Sequence, residues 1–337
     1  FGIITTEREL YDENGNLKLP VSVGIERAKL SAEEIKVRRN KLNILKNTSI
    51  ITGTILAGYI AYGPIATFAL SSVSFDKIKH PTIEQTAKVP RQDLVINSSF
   101  GKLPAWFFKS NNGNKIVLLA HPLNHNKSFE APLIEALTDK GYNVLTFDFP
   151  MHGESKVIKL GAISYGINES KIVLDVLKFI EAQGYEEIVL VGQSMGAVSS
   201  IKAAANYSGK LKIKGIAAHA AYATIKPAFH NVGQNKLKIF DLQNDLGTYL
   251  GGLTGGVDYD SFDIRGDVEK LNQEDIPIIY GWGGKDDILP KSVIDPLIKL
   301  AKPTDVVKIY KNSEHTDFTS PERINDVVSF VSGHMGQ

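Results

Sequence analysis

The chain has 337 residues, enough to bury a substantial hydrophobic core, and 43% of its residues are hydrophobic. Its formal net charge of +1 at pH 7 gives no indication of a nucleic-acid or strongly acidic partner. Because the chain contains no cysteine, disulfide bonds, thiolate metal sites and cysteine nucleophiles are excluded.

Residues 1–47 are expected to form a separate segment in front of the membrane and globular parts. Ser31-Ala32-Glu33-Glu34 matches a capping box, and the basic, mostly polar run that follows to Lys46 predicts a helix. Such a helix suits a membrane surface or a protein partner. A solvated helix that simply leads into the next segment is the alternative.

The next segment contains no charged residue between Lys46 and Asp76 and is strongly apolar in its first half. Because a helix needs about 20 apolar residues to cross the hydrocarbon core, residues 48–75 are predicted to form a single transmembrane helix. A buried helix broken at Gly63-Pro64 is the alternative, since proline kinks or ends a helix. The excess of cations before the segment favours an N-terminus on the cytoplasmic or matrix side of a bacterial plasma membrane or an organelle membrane.

Residues 85–337 alternate between strand and helix patterns and are predicted to form the globular domain. Two strand patterns form a hairpin that turns near Phe100-Gly101-Lys102. Further buried strands begin near residues 116, 144, 187, 214, 276 and 306, with amphipathic helices between them. Continuous apolar strands that alternate with amphipathic helices indicate a mostly parallel sheet with helices on both faces.

The motif Gly192-Gln193-Ser194-Met195-Gly196 follows the apolar run Glu187–Val191 and precedes the small-residue run Ala197–Ala205. A strand, then G-x-S-x-G, then a helix is the context in which this motif indicates a nucleophile elbow. The elbow projects the serine hydroxyl above the edge of the sheet, and its neighbours must be small because strand and helix nearly touch. Ser194 is therefore the predicted nucleophile.

The interval of about 222–270 breaks the alternation of strands and helices and is predicted to form a small cap above Ser194. It contains several glycines, which we interpret as hinges or ordinary loop residues. Apolar residues scattered through the interval would either line a substrate cleft or pack the cap onto the domain. No phosphate-binding glycine loop and no dinucleotide-binding motif accompanies them, so no cofactor is predicted.

A serine hydroxyl needs a base within hydrogen-bonding reach, and that base needs an acid to hold its tautomer. His315 follows the last predicted strand and is the candidate base. Asp286 and Asp287 both follow the preceding strand. Asp286 is preferred because the spacing to Pro290 matches the usual acid turn, and Asp287 is the alternative acid.

An acyl-transfer intermediate also needs two N–H donors for its oxyanion. Met195, directly after the nucleophile, is one candidate. Leu123 is the other, because it lies in the turn after the first buried strand and Pro122 has no N–H. His121 and His125 lie in the same turn but lack a matching third ligand, so no metal site is predicted.

Five motifs, taken in this order, resemble the α/β-hydrolase superfamily of serine hydrolases, especially members with an N-terminal membrane anchor and a small cap. They are the hairpin at 100–106, the D-x-x-x-H-G-x-S loop at 148–155, the elbow at 190–197, and the turns at 284–290 and 314–315. The resemblance covers about residues 89–331. It implies an eight-stranded, mostly parallel sheet, and action on carboxylic esters, thioesters or amides without a cofactor. Pro122 departs from the family, whose oxyanion turn normally reads His-Gly.

Three functional hypotheses follow. The first is a membrane-anchored serine hydrolase that cleaves a small-molecule acyl substrate through an acyl-enzyme on Ser194. The second is a non-catalytic or weakly active subunit of a larger membrane protein complex, bound through residues 1–75. The third is transfer of the acyl group to an acceptor other than water.

Overall fold

A computed structural model of the chain describes residues 90–336, except 112, 156–162, 239, 316, 318 and 319, together with scattered helical positions between 33 and 52. The chain divides into two compact units, residues 1–58 and 59–337. The predicted transmembrane helix, 48–75, falls almost entirely outside the described residues. Among the described residues, no helix is both long enough and apolar enough to cross a bilayer.

The described part of the second unit contains an eight-stranded sheet with the strand order β1-β2-β4-β3-β5-β6-β7-β8. The antiparallel pairs are β1 with β2 and β2 with β4, and all other neighbours are parallel. The predicted mostly parallel sheet is therefore confirmed. The strands are β1 (Arg91–Ser98), β2 (Gly101–Phe108), β3 (Lys115–Ala120), β4 (Asn143–Phe147), β5 (Glu187–Gln193), β6 (Lys212–His219), β7 (Ile278–Gly283) and β8 (Val306–Tyr310).

Helices cover both faces of this sheet, as its apolar strands require. Alternate residues of β3 point into two separate apolar layers: Leu118 lies in one and Leu119 in the other. The first layer is filled from α2, α3, α6 and α7, and the second from α1 and α8. The described helices of the unit are α1 (Ala131–Asp139), α2 (Ile167–Ala182), α3 (Met195–Ala205), α4 (Lys226–Val232), α5 (Asp241–Gly255), α6 (Arg265–Gln273), α7 (Lys291–Ile298) and α8 (Pro321–Met335).

The first hairpin turns at Ser99 and Phe100, slightly before the predicted position, and Gly101 already belongs to β2. The Ser98 hydroxyl accepts a hydrogen bond from the Phe100 N–H at 3.2 Å and donates one to the Gly101 carbonyl at 2.8 Å. Gly101 has a φ of 129°, which favours glycine. The serine hydroxyl and the glycine together therefore set the position of the turn.

The interval between β6 and β7 is mostly helical. It holds α4, a π-helical turn at Gly233–Leu237, α5 and α6. The last of these, α6, packs beside α3 and contributes Val268 and Leu271 to the apolar layer under the sheet. Helix α6 thus belongs to the layer that covers the sheet, while the cap at 222–270 as a unit of its own stays a prediction.

The sequence predicts hinges or ordinary loop residues at the glycines between 247 and 256, whereas the structure places them on a helix. Four of them are inside α5, and Gly256 is its C-cap with a φ of 64°. Gly252 lies against the chain that follows the helix. A Cβ atom on Gly252 would lie 2.4 Å from the Val257 carbonyl oxygen. At least this glycine is explained by close backbone packing, which outweighs the poor helix propensity of glycine.

Candidate active site

Ser194 stands at the turn between β5 and α3, with a φ of 49° and a ψ of −117°. A positive φ is costly for any residue except glycine, and such strain persists only where the surrounding structure enforces it. The Ser194 N–H donates a hydrogen bond of 2.8 Å to the His219 carbonyl at the end of β6. The turn is thereby held against the neighbouring strand at the carboxyl edge of the sheet.

Two glycines allow this turn to form. A Cβ atom on Gly192 would lie 2.5 Å from the Gly196 carbonyl oxygen, and one on Gly196 would lie 2.0 Å from the Ala120 carbonyl oxygen. Both obstacles are backbone atoms, which cannot move aside as the end of a side chain can. The G-x-S-x-G pattern is therefore explained by the crossing of β5, α3 and the end of β3.

We expect Gly196→Ala to lower the free energy of unfolding by about 1–3 kcal/mol or more, because the methyl group overlaps backbone atoms of β3. Urea unfolding followed by circular dichroism measures this change. Gly266→Ala is the matched control: it is also in a helix, but nothing lies within 4 Å of its added Cβ. The control should be neutral or slightly stabilising, and equal losses from both variants would contradict the steric explanation.

His315 lies in the loop after β8 and meets Ser194 across the edge of the sheet. Its Nε2 atom is 3.2 Å from Ser194 Oγ, and its Nδ1 atom is 2.7 Å from Asp286 Oδ2. Since an ionised carboxylate can only accept hydrogen bonds, Nδ1 carries the proton of the neutral ring. The lone pair of Nε2 then faces the serine hydroxyl, which is the arrangement that a general base requires.

Asp286, rather than Asp287, is the carboxylate that meets His315. Its side chain is buried, and its Oδ1 atom accepts hydrogen bonds from the Ile288 N–H at 3.0 Å and the Leu289 N–H at 2.7 Å. These two donors fix the rotation of the carboxylate and leave Oδ2 to the imidazole. Asp287 is exposed, and its backbone carbonyl accepts from the Asn231 amide.

The two candidate oxyanion donors lie on adjacent elements. Met195 is the first residue of α3, where N–H groups lack acceptors within the helix. Leu123 lies in the turn after β3, and β3 pairs with β5 so that Ala120 stands opposite Gly192. The register of the two strands thus sets the Leu123 turn beside the elbow.

The conformation of that turn depends on His121, a role that the sequence did not reveal. The Phe149 N–H donates a hydrogen bond of 3.0 Å to His121 Nε2, so the ring proton is on Nδ1 and donates to the Pro122 carbonyl at 2.7 Å. The ring is therefore held neutral by two backbone partners. Within the described residues, no group of three or more acidic, histidine or cysteine side chains is arranged to hold a metal ion.

The loop that matches D-x-x-x-H-G-x-S is fastened by a buried ion pair. Asp148 is fully buried and accepts from the Lys127 N–H at 2.8 Å, from Lys127 Nζ at 2.7 Å and from the Glu154 N–H at 2.9 Å. A Cβ atom on Gly153 would collide with this carboxylate. The motif therefore shapes the loop beside the site and supplies none of the hydrogen bonds between Ser194, His315 and Asp286.

A buried polar cluster behind His315 was also not expected from the sequence. It contains Gln193, His219, Arg323 and Glu130, all less than one-tenth exposed. Burial raises the pKa of Glu130 to about 8, although the positive charge of Arg323 opposes this shift. Burial likewise lowers the pKa of Arg323 to about 10, against the attraction of Glu130, and it lowers the pKa of His219 well below its ordinary value.

The raised pKa of Glu130 predicts a pH-dependent stability. The folded protein keeps this proton up to about pH 8, whereas the unfolded chain releases it near the ordinary value of 4.5. Stability is therefore lost as the pH rises between these two values, by at most about 1.4 kcal/mol per pH unit. Glu130→Gln, which is neutral at every pH, should remove this loss.

Urea unfolding at pH 5, 6.5 and 8 tests the prediction. The exposed Glu322→Gln on α8 is the control and should keep the pH dependence of the unaltered protein. Parallel stability curves for the unaltered protein and Glu130→Gln would show that Glu130 is not the titrating group.

Comparison with known proteins agrees with this architecture. Residues 111–245 match the Hydrolase_4 family, described as serine aminopeptidase, S33. The chain is similar in structure to the Pyrococcus furiosus esterase Pf2001, with a TM-score of 0.59 and 18% identity over 77% of this chain and 95% of that one. An esterase from Exiguobacterium antarcticum gives 0.53 and 15% over 72% and 100% of the two chains.

A third similar structure is a membrane phospholipase A described as a bacterial virulence factor. Its TM-score is 0.50 at 17% identity, and the match covers 89% of this chain and 100% of that one. The comparison with curated proteins gave no match. The narrower resemblance to membrane-anchored members stays a prediction. The sheet order and the solved structures show the α/β-hydrolase fold, and the family match over residues 111–245 is to a family of serine hydrolases.

Proposed function

We propose that the chain hydrolyses carboxylic esters, or the related thioesters or amides, through an acyl-enzyme formed on Ser194. The observation that carries this proposal is the chain of hydrogen bonds from Ser194 Oγ through His315 to Asp286. These three groups come from separate turns at one edge of the sheet. Their distances suit direct proton transfer and need no further rearrangement.

In the proposed mechanism, Ser194 Oγ attacks the acyl carbon while His315 Nε2 takes the hydroxyl proton. Asp286 holds the Nδ1–H and stabilises the imidazolium that forms. The N–H groups of Met195 and Leu123 bind the negative oxygen of the tetrahedral intermediate. The imidazolium then gives its proton to the leaving alcohol, thiol or amine as the bond to the acyl carbon breaks.

The second half of the reaction repeats these roles with water. His315 takes a proton from the water molecule as its oxygen attacks the acyl-enzyme, and returns it to Ser194 Oγ as the carboxylic acid leaves. Every proton that is taken up is therefore released. Neither the bond cleavage nor the proton transfers require a cofactor.

We also propose that residues 48–75 anchor the chain in a membrane. The uncharged stretch between Lys46 and Asp76 supports this placement, as does the likeness to a membrane phospholipase A. Helix α5 adds support because it exposes several large apolar side chains, which suit a bilayer interface: Leu242, Leu246, Tyr249, Leu250 and Leu253.

The full chain should float with phospholipid vesicles on a density gradient, whereas a Leu56→Lys, Ile60→Lys double variant should not. Equal flotation of both would contradict an anchor in this segment.

One feature favours the alternative of a non-catalytic subunit in a membrane complex. Pro122 has no N–H and restricts the residue before it, which would shift the Leu123 N–H and weaken the oxyanion hole relative to the His-Gly form of the family. Loss of one oxyanion donor typically costs about 100- to 1,000-fold in rate. The alternative therefore predicts a folded protein with little or no turnover.

One experiment separates the two functions. A fluorophosphonate probe should label the folded protein with one probe per chain, and at least one p-nitrophenyl ester between acetate and laurate should be hydrolysed. The matching thioesters and anilides then assign the bond type. If circular dichroism shows folded protein but neither labelling nor hydrolysis occurs, the non-catalytic alternative is correct.

A further inference from the structure

The side chain of Gln193 connects the two turns that carry Ser194 and His315. Gln193 directly precedes the nucleophile and is only 1% exposed. Its Nε2 atom donates a hydrogen bond to the backbone carbonyl of His315. One buried side chain thus joins the backbone beside the proposed nucleophile to the backbone of the proposed base, although these residues are far apart in the sequence.

The other end of the Gln193 amide is bound by Arg323, in the first turn of α8. Arg323 Nη2 donates to Gln193 Oε1, and Nη1 donates to the Asp317 carbonyl at 2.7 Å. The rigid guanidinium fork therefore binds the Gln193 amide and the far side of the His315 loop at once. Arg323 is 6% exposed, so these bonds are protected from competition by bulk water.

Burial lowers the pKa of Arg323 only to about 10, so the buried guanidinium keeps its charge at neutral pH. Glu130 raises the pKa of the arginine against the opposing effect of burial. The cluster therefore links the N-cap of α1 and the first turn of α8 to the end of β5 and to the loop after β8. None of its members is among the groups that the proposed mechanism uses.

We propose that Gln193 and Arg323 are positioning residues that hold the His315 loop at the distance from Ser194 that proton transfer requires. The proposal rests on the proposed function. The His315 ring lies 3.2 Å from Ser194 Oγ. The two backbone carbonyls that Gln193 and Arg323 bind, those of His315 and Asp317, belong to the same loop as this ring. Because a misplacement of about 1 Å can cost about 100-fold in rate, loosening this loop is expected to slow the chemistry more than it weakens substrate binding.

Substitutions at Gln193 separate the two bonds of its amide. Gln193→Glu keeps an acceptor for Arg323 and nearly the same volume, but it places a carboxylate oxygen against the His315 carbonyl. Gln193→Met removes both bonds. We expect Gln193→Glu to lower kcat for ester hydrolysis by about 10- to 100-fold, with a change in KM of less than about 2-fold.

Substitutions at Arg323 test the fork. Arg323→Met should lower kcat by a similar factor, and Arg323→Lys should recover part of this loss, because lysine keeps the charge but lacks the planar pair of donors. Arg265→Met is the matched control: Arg265 is an exposed arginine that pairs with Asp263, and its loss should leave kcat unchanged within about 2-fold.

The measurements are kcat, KM and the rate of fluorophosphonate labelling, each per folded molecule as judged by circular dichroism. A merely structural role would lower stability but leave kcat of the folded fraction unchanged. Folded Gln193→Glu and Arg323→Lys with the kcat of the unaltered protein would overturn the positioning role while leaving the proposed function intact. An unaltered protein that is neither labelled nor active would instead overturn the proposed function. If Arg323→Met does not fold, Gln193→Glu and Arg323→Lys decide the question.

Discussion

Ser194→Ala is expected to lower kcat for ester hydrolysis by roughly 10⁴- to 10⁶-fold and to abolish fluorophosphonate labelling. The hydroxyl is the only group that the substitution removes, and no other described alcohol lies at the same position beside His315 Nε2. The fold should persist, because alanine meets the same backbone demands at a φ of 49° as serine does. Initial rates with the best ester of the series measure the effect.

Ser200→Ala is the matched control for this experiment. Ser200 is also a buried serine near the elbow, but its hydroxyl donates to the Gly196 carbonyl within α3 at 2.8 Å. Its loss should cost stability through one hydrogen bond and leave kcat within about 3-fold. If Ser194→Ala kept more than a tenth of the activity, the nucleophile would have to be another residue.

The convergence of Ser194, Asp286 and His315 could be predicted because it follows from sheet topology. The three residues follow β5, β7 and β8, and the carboxyl ends of parallel strands lie at one edge of a sheet. Apolar strand runs and the G-x-S-x-G motif are local signals, so they can be recognised without any knowledge of long-range contacts. The same reasoning predicted that Leu123 lies beside the elbow.

The choice between Asp286 and Asp287 rested on a spacing rule, because two adjacent carboxylates differ only in how their loop is folded. The decisive contacts are the N–H groups of Ile288 and Leu289, which capture Asp286 Oδ1. The bonds of Gln193 and Arg323 were not predictable at all. The bond between them joins side chains separated by 130 positions, and no local pattern of hydrophobicity or turn residues records such a pair.

Asp286→Asn is expected to lower kcat by about 10⁴-fold while leaving KM within a few-fold. The reason lies in the two N–H donors that hold Oδ1. In the asparagine variant these donors select the amide oxygen, so the amide NH₂ takes the place of Oδ2 and faces His315 Nδ1. The imidazole must then accept at Nδ1 and carry its proton on Nε2. A ring in that tautomer cannot take the proton of Ser194.

Asp287→Asn makes the same chemical change one residue further along, on an exposed side chain, and is the matched control for this prediction. It should keep kcat within about 3-fold of the unaltered protein, because the carboxylate bound to His315 Nδ1 is untouched. Both variants are compared with the best ester of the series, alongside fluorophosphonate labelling of the folded protein. If Asp286→Asn stayed within tenfold of the unaltered protein while Asp287→Asn lost activity, the acid would be Asp287, and the loop would have to rearrange when substrate binds.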